Sequence, residues 1–443
     1  MAIATMSKMG LTHSTPNNND EAYRRIKTEL HRQLIASMDL SAIGTLKEED
    51  LRVEVREAAE DLCRRRNDLL SQGEQDRLVG EVLDETFGLG PLESLLRDSS
   101  ISDVLVNGPH TIYIERNGRL ERNPVVFRDE SHLLQVIHRI VGRVGRHVDE
   151  SSPMVDARLP DGSRVNAIIP PLAVDGAMLS IRRFGSAPLG ARELIERGSI
   201  TREMLDFLNA CVEARINMLI SGGTGAGKTT LLNLLSKAIP EDERILTIED
   251  SAELQLQQPH VGRLETRPPN IEGKGQVTQR DLLRNALRMR PDRIIIGECR
   301  GPEALDMLQA MNTGHDGSLT TIHGNDCRDA LYRLETMVTM AGFDLPLWVI
   351  RRQIASAIHL VVQVARLTGG QRKVVRISEI TGMEGEVLSM HDLFEFKKTG
   401  VDSLHMAQGY FQATGMRPHC LHRFEEAGIK LPPQMFEARI LNA

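Results

Sequence analysis

Ile26, Leu30 and Leu34 recur at intervals of four, and Leu51, Val55, Ala59 and Leu62 nearly repeat that spacing with charges between them. Such stripes predict amphipathic helices. Thr45 followed by Glu48 has capping-box spacing and sets the start of the second helix near Leu46, with Gly73 as its predicted end. Residues 1–20 read as a disordered polar tail and 21–75 as a helical appendage. From 76 to 187 the pattern becomes α+β: Asp103-Val-Leu-Val and Thr111-Ile-Tyr-Ile-Glu115 are β-rich runs parted by Asn107-Gly108, and Ser163 to Ile169 and Met178 to Arg183 follow. A Gly/Ser/Pro stretch ending at Gly190 predicts a linker. Over 188–443, apolar runs at 217–220, 244–248 and 293–296 alternate with helical patterns at 229–238 and 281–288. That alternation predicts an α/β fold with a mostly parallel sheet covered on both faces. The chain then returns to short β runs at 374–380 and 393–396 and a helical, Pro-containing tail.

Composition narrows the class. The 443 residues, 41% hydrophobic and 26% charged, suit a globular chain of several folding units rather than a disordered or collagen-like one. Against 61 acidic residues stand 54 basic ones, a net charge of −7 that argues against nucleic acid as a partner. The cysteines at 63, 211, 299, 327 and 420 form no C-x-x-C pair, so a disulfide framework and a zinc knuckle are both disfavoured and a reducing compartment fits. Neither a secretory signal nor a run of 18 apolar residues is evident, which predicts a cytoplasmic chain without transmembrane insertion. The Arg64-Arg65-Arg66 run reads as a solvated helix face.

Chemistry concentrates in Gly222-Gly223-Thr224-Gly225-Ala226-Gly227-Lys228-Thr229-Thr230, which matches G-x-x-x-x-G-K-[ST] between an apolar strand and an apolar-patterned helix. Glycines let the backbone curl so that successive N–H groups face phosphate oxygens, and the helix start adds its positive dipole end. Lys228 is the predicted partner of the β- and γ-phosphates, and the Thr229 hydroxyl of Mg2+. ATP and Mg2+ are the predicted reactants.

A phosphate loop needs an acid to hold the metal and a base to orient water. Ile294 to Glu298 is an apolar strand ending in a carboxylate, and Ile245 to Glu249 is a second. Ligands in open α/β sheets bind at the carboxyl ends of strands. Glu249 is therefore the predicted base and Glu298 the predicted metal-side carboxylate. His323 ends the strand-like run Leu319 to Ile322 and is placed to sense the γ-phosphate, with His315 upstream in Thr313-Gly-His.

These motifs in this order, with Thr247-Ile-Glu-Asp-Ser-Ala-Glu253 and Ile295-Ile-Gly-Glu-Cys-Arg300, resemble the type II/type IV secretion ATPase superfamily. Phe87-Gly-Leu-Gly-Pro-Leu-Glu93, Val104 to Gly108, Ile181 to Phe184, Leu256 to Pro259 and Thr381 to Gly385 make the chain similar to its tight-adherence (Tad) pilus assembly branch, the CpaF branch. The resemblance implies a PAS-like N-terminal domain hinged to a RecA-like ATPase domain, a hexamer, and an inner-membrane platform protein as partner with peripheral attachment. It also implies catalytic roles for Glu249, Glu298 and His323. Arg164 and Arg182 are similar to arginines that reach the nucleotide from the N-terminal domain, with Arg158 and Arg183 nearby as alternatives. Donors on a separate domain would make cleft closure depend on ATP. Conjugative or effector secretion, and a nucleotide-gated regulator with little turnover, are the competing functions. A DNA motor is disfavoured, because aromatic residues make up only 3% of the chain.

Overall fold

The computed structural model describes residues 26–27, 29–30, 33, 48–65, 71–116, 118–183, 189–269, 274–403 and 405–441. The predicted tail, Leu34, Thr45 and most of the predicted linker lie outside the described residues. Two compact units emerge, divided between Phe184 and Gly185.

In the first unit, the helix Glu48–Arg65 ends before Gly73, and a second helix, Gln72–Phe87, begins there. The Ser71 side chain accepts from the Glu74 amide while Glu74 accepts from the Ser71 amide, so a capping box starts a helix where the glycine suggested a stop. Residue 75, the predicted appendage boundary, thus falls inside a helix. Val55, Ala59, Leu78, Val79 and Val82 share one small core. Arg64 pairs with Glu60 and Arg65 with Asp61 on an exposed face, as the charge pattern implied.

Six strands, β1 (Ile101–Asn107), β2 (Ile112–Arg116), β3 (Arg119–Asn123), β4 (Met154–Arg158), β5 (Arg164–Ile168) and β6 (Met178–Arg182), form an antiparallel sheet in the order β3-β2-β1-β6-β5-β4. The helix Glu130–Arg143, capped by Asp129, buries Leu133, Val136, Ile137 and Ile140 in a core shared with Val104, Ile114, Leu179 and Ile181. The N-terminal helices are tied to this layer. Arg139 donates to the carbonyls of Glu85 and Gly88, each at 2.7 Å, and His132 Nε2 lies 2.8 Å from Glu85. Burial opposes charge on Glu85, yet His132 and Lys27 hold its carboxyl down to about 2.

The second unit is built on ten strands, β7 (Met218–Gly222), β8 (Ile245–Glu249), β9 (Val261–Glu265), β10 (Arg293–Ile296), β11 (Leu319–Ile322), β12 (Leu360–Arg366), β13 (Arg372–Glu384), β14 (Val387–Val401), β15 (Ala407–Ala413) and β16 (Arg439–Leu441). Their order is β16-β15-β14-β13-β12-β7-β11-β10-β8-β9. From β12 to β9 every neighbour is parallel, and β13 to β16 extend the sheet antiparallel. The parallel strands are apolar on both faces because both are covered. Met218 and Ile220 enter one core with Leu231 and Val362, whereas Leu219 joins Leu246, Ile294 and Val361 in the other. The strands β13 and β14 run 13 and 15 residues, longer than their apolar centres suggested. Their outer portions pair with each other around the partly exposed Gly382 to Glu386 tip, where no apolar signal is required.

At the amino-end edge of the parallel strands, Arg293 is fully buried and donates two hydrogen bonds to Glu243, one of them at 3.0 Å, and a third to the Val212 carbonyl at 2.6 Å. Removing one partner of a buried pair strands the other charge. Glu243→Gln should therefore cost about 3–5 kcal/mol, seen as a lower urea midpoint for the second unit, and Glu243→Leu with Arg293→Met should recover most of it. An unchanged midpoint for Glu243→Gln would refute this account of the edge.

Candidate functional site

The parallel register delivers the predicted residues to one edge. Gly222 ends β7, His323 follows β11, Gly297 and Glu298 follow β10, and Glu249 ends β8. Ser221 pairs with Ile322, Thr320 with Ile296, and Ile296 with Ile248, so these carboxyl ends lie side by side.

Between β7 and the helix Lys228–Ser236, Gly225 and Gly227 adopt φ of +69° and +103°, a left-handed curl that glycine takes without a Cβ clash. A methyl group on Gly222 would collide with the Val364 carbonyl of β12. Gly223, Thr224 and Gly225 are exposed, Ala226 is buried beneath them, and Thr229 and Thr230 are half-buried in the first helical turn. Lys228 is only 8% exposed and donates to the carbonyls of Gly222 at 3.1 Å and Gly223 at 3.2 Å. Burial lowers its pKa, although Glu298 opposes that shift.

The two acids differ in kind. Glu249 is 3% exposed, and its Oε2 accepts from the amides of Glu253 at 2.7 Å and Leu254 at 2.9 Å. Its Oε1 is buried without a hydrogen-bond partner. Burial raises the pKa of this carboxyl above its usual range despite the two amides. Its room comes from Gly297, where a methyl group would stand 2.9 Å from Glu249 Cγ. Glu298 is also penalised by burial, but the Arg300 hydrogen bond at 2.7 Å, with His323 and Lys228 nearby, outweighs that and lowers its pKa. His323 Nε2 lies 2.7 Å from Glu298 Oε1. Burial nevertheless lowers the His323 pKa, leaving a neutral imidazole beside an ionised carboxylate at neutral pH.

Arg300, which also reaches Asp250 at 3.5 Å, was missed as a site residue, although it stands only two positions after Glu298. The backbone of His315 precedes β11 and lies at the opposite strand end from His323, away from the phosphate loop. Arg164 and Arg182 belong to the first unit, where they are direct cross-strand partners, as are Arg164 and Arg158. Arg182 lies 3.1 Å from Asp103 and is 57% exposed in its side chain. Arg183 instead donates to the carbonyls of Asp98 and Ile101, which makes it a backbone tie. All five cysteines are buried, and among the described residues none forms a disulfide. Among the described residues, no helix is long and apolar enough to cross a membrane.

Glycine curl, buried lysine and threonine-bearing helix start suit a polyphosphate, and the orphaned Glu249 Oε1 suits a water or substrate oxygen. One carboxylate and one hydroxyl, Glu298 and Thr229, are also a protein ligand set that Mg2+ accepts when phosphates and water complete its shell.

Known proteins share much of this sequence. A "Putative conjugal transfer protein" of Mycobacterium tuberculosis is 38% identical over 309 residues, covering 68% of this chain and 87% of its own. The conjugal transfer protein TrbB of Rhizobium radiobacter is 31% identical over 303 residues, covering 66% and 86%. The crystal structure of the VirB11 ATPase from the Brucella suis type IV secretion system, in complex with sulphate, is 30% identical with a TM-score of 0.36, covering 66% of this chain and 97% of that one. The model of the type II/IV secretion system protein family matches residues 85–410, and the chain belongs to that family.

Proposed function

We propose that the second unit is a Mg2+-dependent ATP hydrolase, a RecA-like motor that powers a secretion or pilus-assembly machine. The observation that carries this reading is the meeting of the phosphate loop, the Glu298–His323–Arg300 cluster and the half-free Glu249 carboxylate at one sheet edge.

The loop amides and Lys228 bind the phosphates of the substrate. Thr229 and Glu298 would hold Mg2+, which when bound neutralises charge on the β- and γ-phosphates. Glu249 is the base. Its Oε2 is fixed by two amides, leaving Oε1 to orient a water and take its proton as the water oxygen bonds to the γ-phosphorus and the bond to the β–γ bridging oxygen breaks. ADP and inorganic phosphate are the products. A raised pKa makes this carboxylate a better base than an ordinary one. His323, whose Nε2 lies beside Glu298, would report whether the γ-phosphate is present.

Arg164 and Arg182, in the α+β part over 76–187 that we read as the PAS-like domain, are our candidates for cations that act on the nucleotide. Their cross-strand pairing supports joint action. A ring of subunits, taken as a hexamer, acting from the cytoplasm at an inner-membrane platform completes the reading.

Two machines compete. The motifs at 87–93 and 381–385 favour a tight-adherence pilus, and the names of the relatives favour conjugative transfer or type IV secretion equally well. Deleting the gene and scoring surface fibres against DNA or effector transfer separates them: loss of fibres alone supports the pilus, and loss of transfer alone overturns it.

Glu249→Gln should lower steady-state phosphate release by about two orders of magnitude or more while Mg-ATP binding persists. Equal rates for the two proteins would remove Glu249 from the mechanism. The wild-type acid limb of kcat should lie above the ordinary glutamate value of about 4.3, and a limb at or below it would count against a buried base. Stability should move the other way. Because the folded pKa of Glu249 is raised, stability is lost as pH rises from the unfolded value through the folded one, and the cost persists at pH 8. The neutral Glu249→Gln chain should therefore melt at or above the wild-type temperature at that pH, and a clearly lower Tm would contradict the burial argument.

A further inference from the structure

The order of the sheet fixes which way a bound nucleotide runs. Glu249, Glu298 and His323 follow β8, β10 and β11, all on one side of β7. The terminal phosphoryl group must lie on that side, so the nucleoside end lies toward β12 and β13 on the other. There β12 pairs with β7 up to Val364 opposite Gly222 and then continues two residues past the end of β7 to Arg366. Its return strand starts at Arg372, the cross-strand partner of Arg366, so both side chains share one face of the hairpin.

That face lies against the phosphate loop. Arg372 Nε donates to the Gly225 carbonyl at 2.8 Å. A methyl group built on Gly225 would stand 3.9 Å from Arg366 Nη1, and one on Gly227 would stand 3.7 Å from Arg372 Cδ. The turn that presents them is anchored: Leu367 donates to the Gln371 carbonyl at 2.7 Å, and Ala407 donates to the Thr368 carbonyl at 3.1 Å. Two guanidinium groups therefore stand, on a fixed turn, at the outer wall of the loop and opposite the carboxylates.

We propose that Arg366 and Arg372 bind the α-phosphate and ribose end of the nucleotide, with Arg372 also setting the curl of the loop through Gly225. This rests on the nucleotide reading given above and extends it to residues that the phosphate-loop motif does not include. Guanidinium forks suit phosphate oxygens, and a contact at this end is shared by the diphosphate and the triphosphate.

The test is titration of the full chain with Mg-ADP and with Mg2+ and a non-hydrolysable ATP analogue, for wild type, Arg366→Gln, Arg372→Gln and Arg372→Lys, together with steady-state kinetics. Each glutamine variant should raise both dissociation constants by about tenfold, by the same factor for the two nucleotides, with KM rising more than kcat falls. Arg372→Lys should recover part of the loss. Unchanged affinities overturn the proposal, and so does a loss confined to the triphosphate analogue, which would put the arginines at the γ-phosphate. If Arg372→Gln fails to fold, Arg366→Gln alone decides between these outcomes. Wild type that binds neither nucleotide would defeat the hydrolase reading instead, so the two failures are distinct.

Discussion

Parallel pairing across β12, β7, β11, β10 and β8 is the constraint on which the site depends. Each strand alternates its apolar side chains between two cores, so a slip of one residue would exchange the faces of a whole strand and send every side chain into the core packed for its neighbour. Register is therefore held by burial along the strands, and the strand ends inherit it. Gly222, Glu249, Glu298 and His323 become neighbours although they are scattered over a hundred residues of chain. The buried Arg293–Glu243 pair closes the opposite edge, so polar groups are divided between a structural end and the candidate site.

Within the candidate site, environment separates residues of the same type. Glu249 and Glu298 are both desolvated, but one keeps only backbone donors and the other gains Arg300, His323 and Lys228. Their pKa values are driven in opposite directions. That divergence is the physical ground on which we propose the basic role for Glu249 and the cation-holding role for Glu298. Gly297 is part of the same device, since a side chain there would displace the Glu249 carboxylate.

Much of this was legible in the sequence because it depends on local pattern. The phosphate loop is contiguous, and an apolar run ending in an acid marks a buried strand reaching a sheet edge. Non-local features were not legible. Arg366 and Arg372 lie well over a hundred residues from the loop, and only the overrun of β12 past β7 brings them to it. Gly73 read as a stop because its helix-breaking tendency was weighed without the Ser71–Glu74 box that starts the next helix around it. The long β13 and β14 strands were truncated because backbone pairing, not apolar side chains, carries them beyond the core.

The most direct measurement is a crystal structure of the chain with Mg2+ and a non-hydrolysable ATP analogue. The phosphates should lie among the amides of residues 222–229, with a water between the γ-phosphorus and Glu249 Oε1. A nucleotide seated elsewhere, or a γ-phosphate on the β12 side of the loop, would contradict the reading.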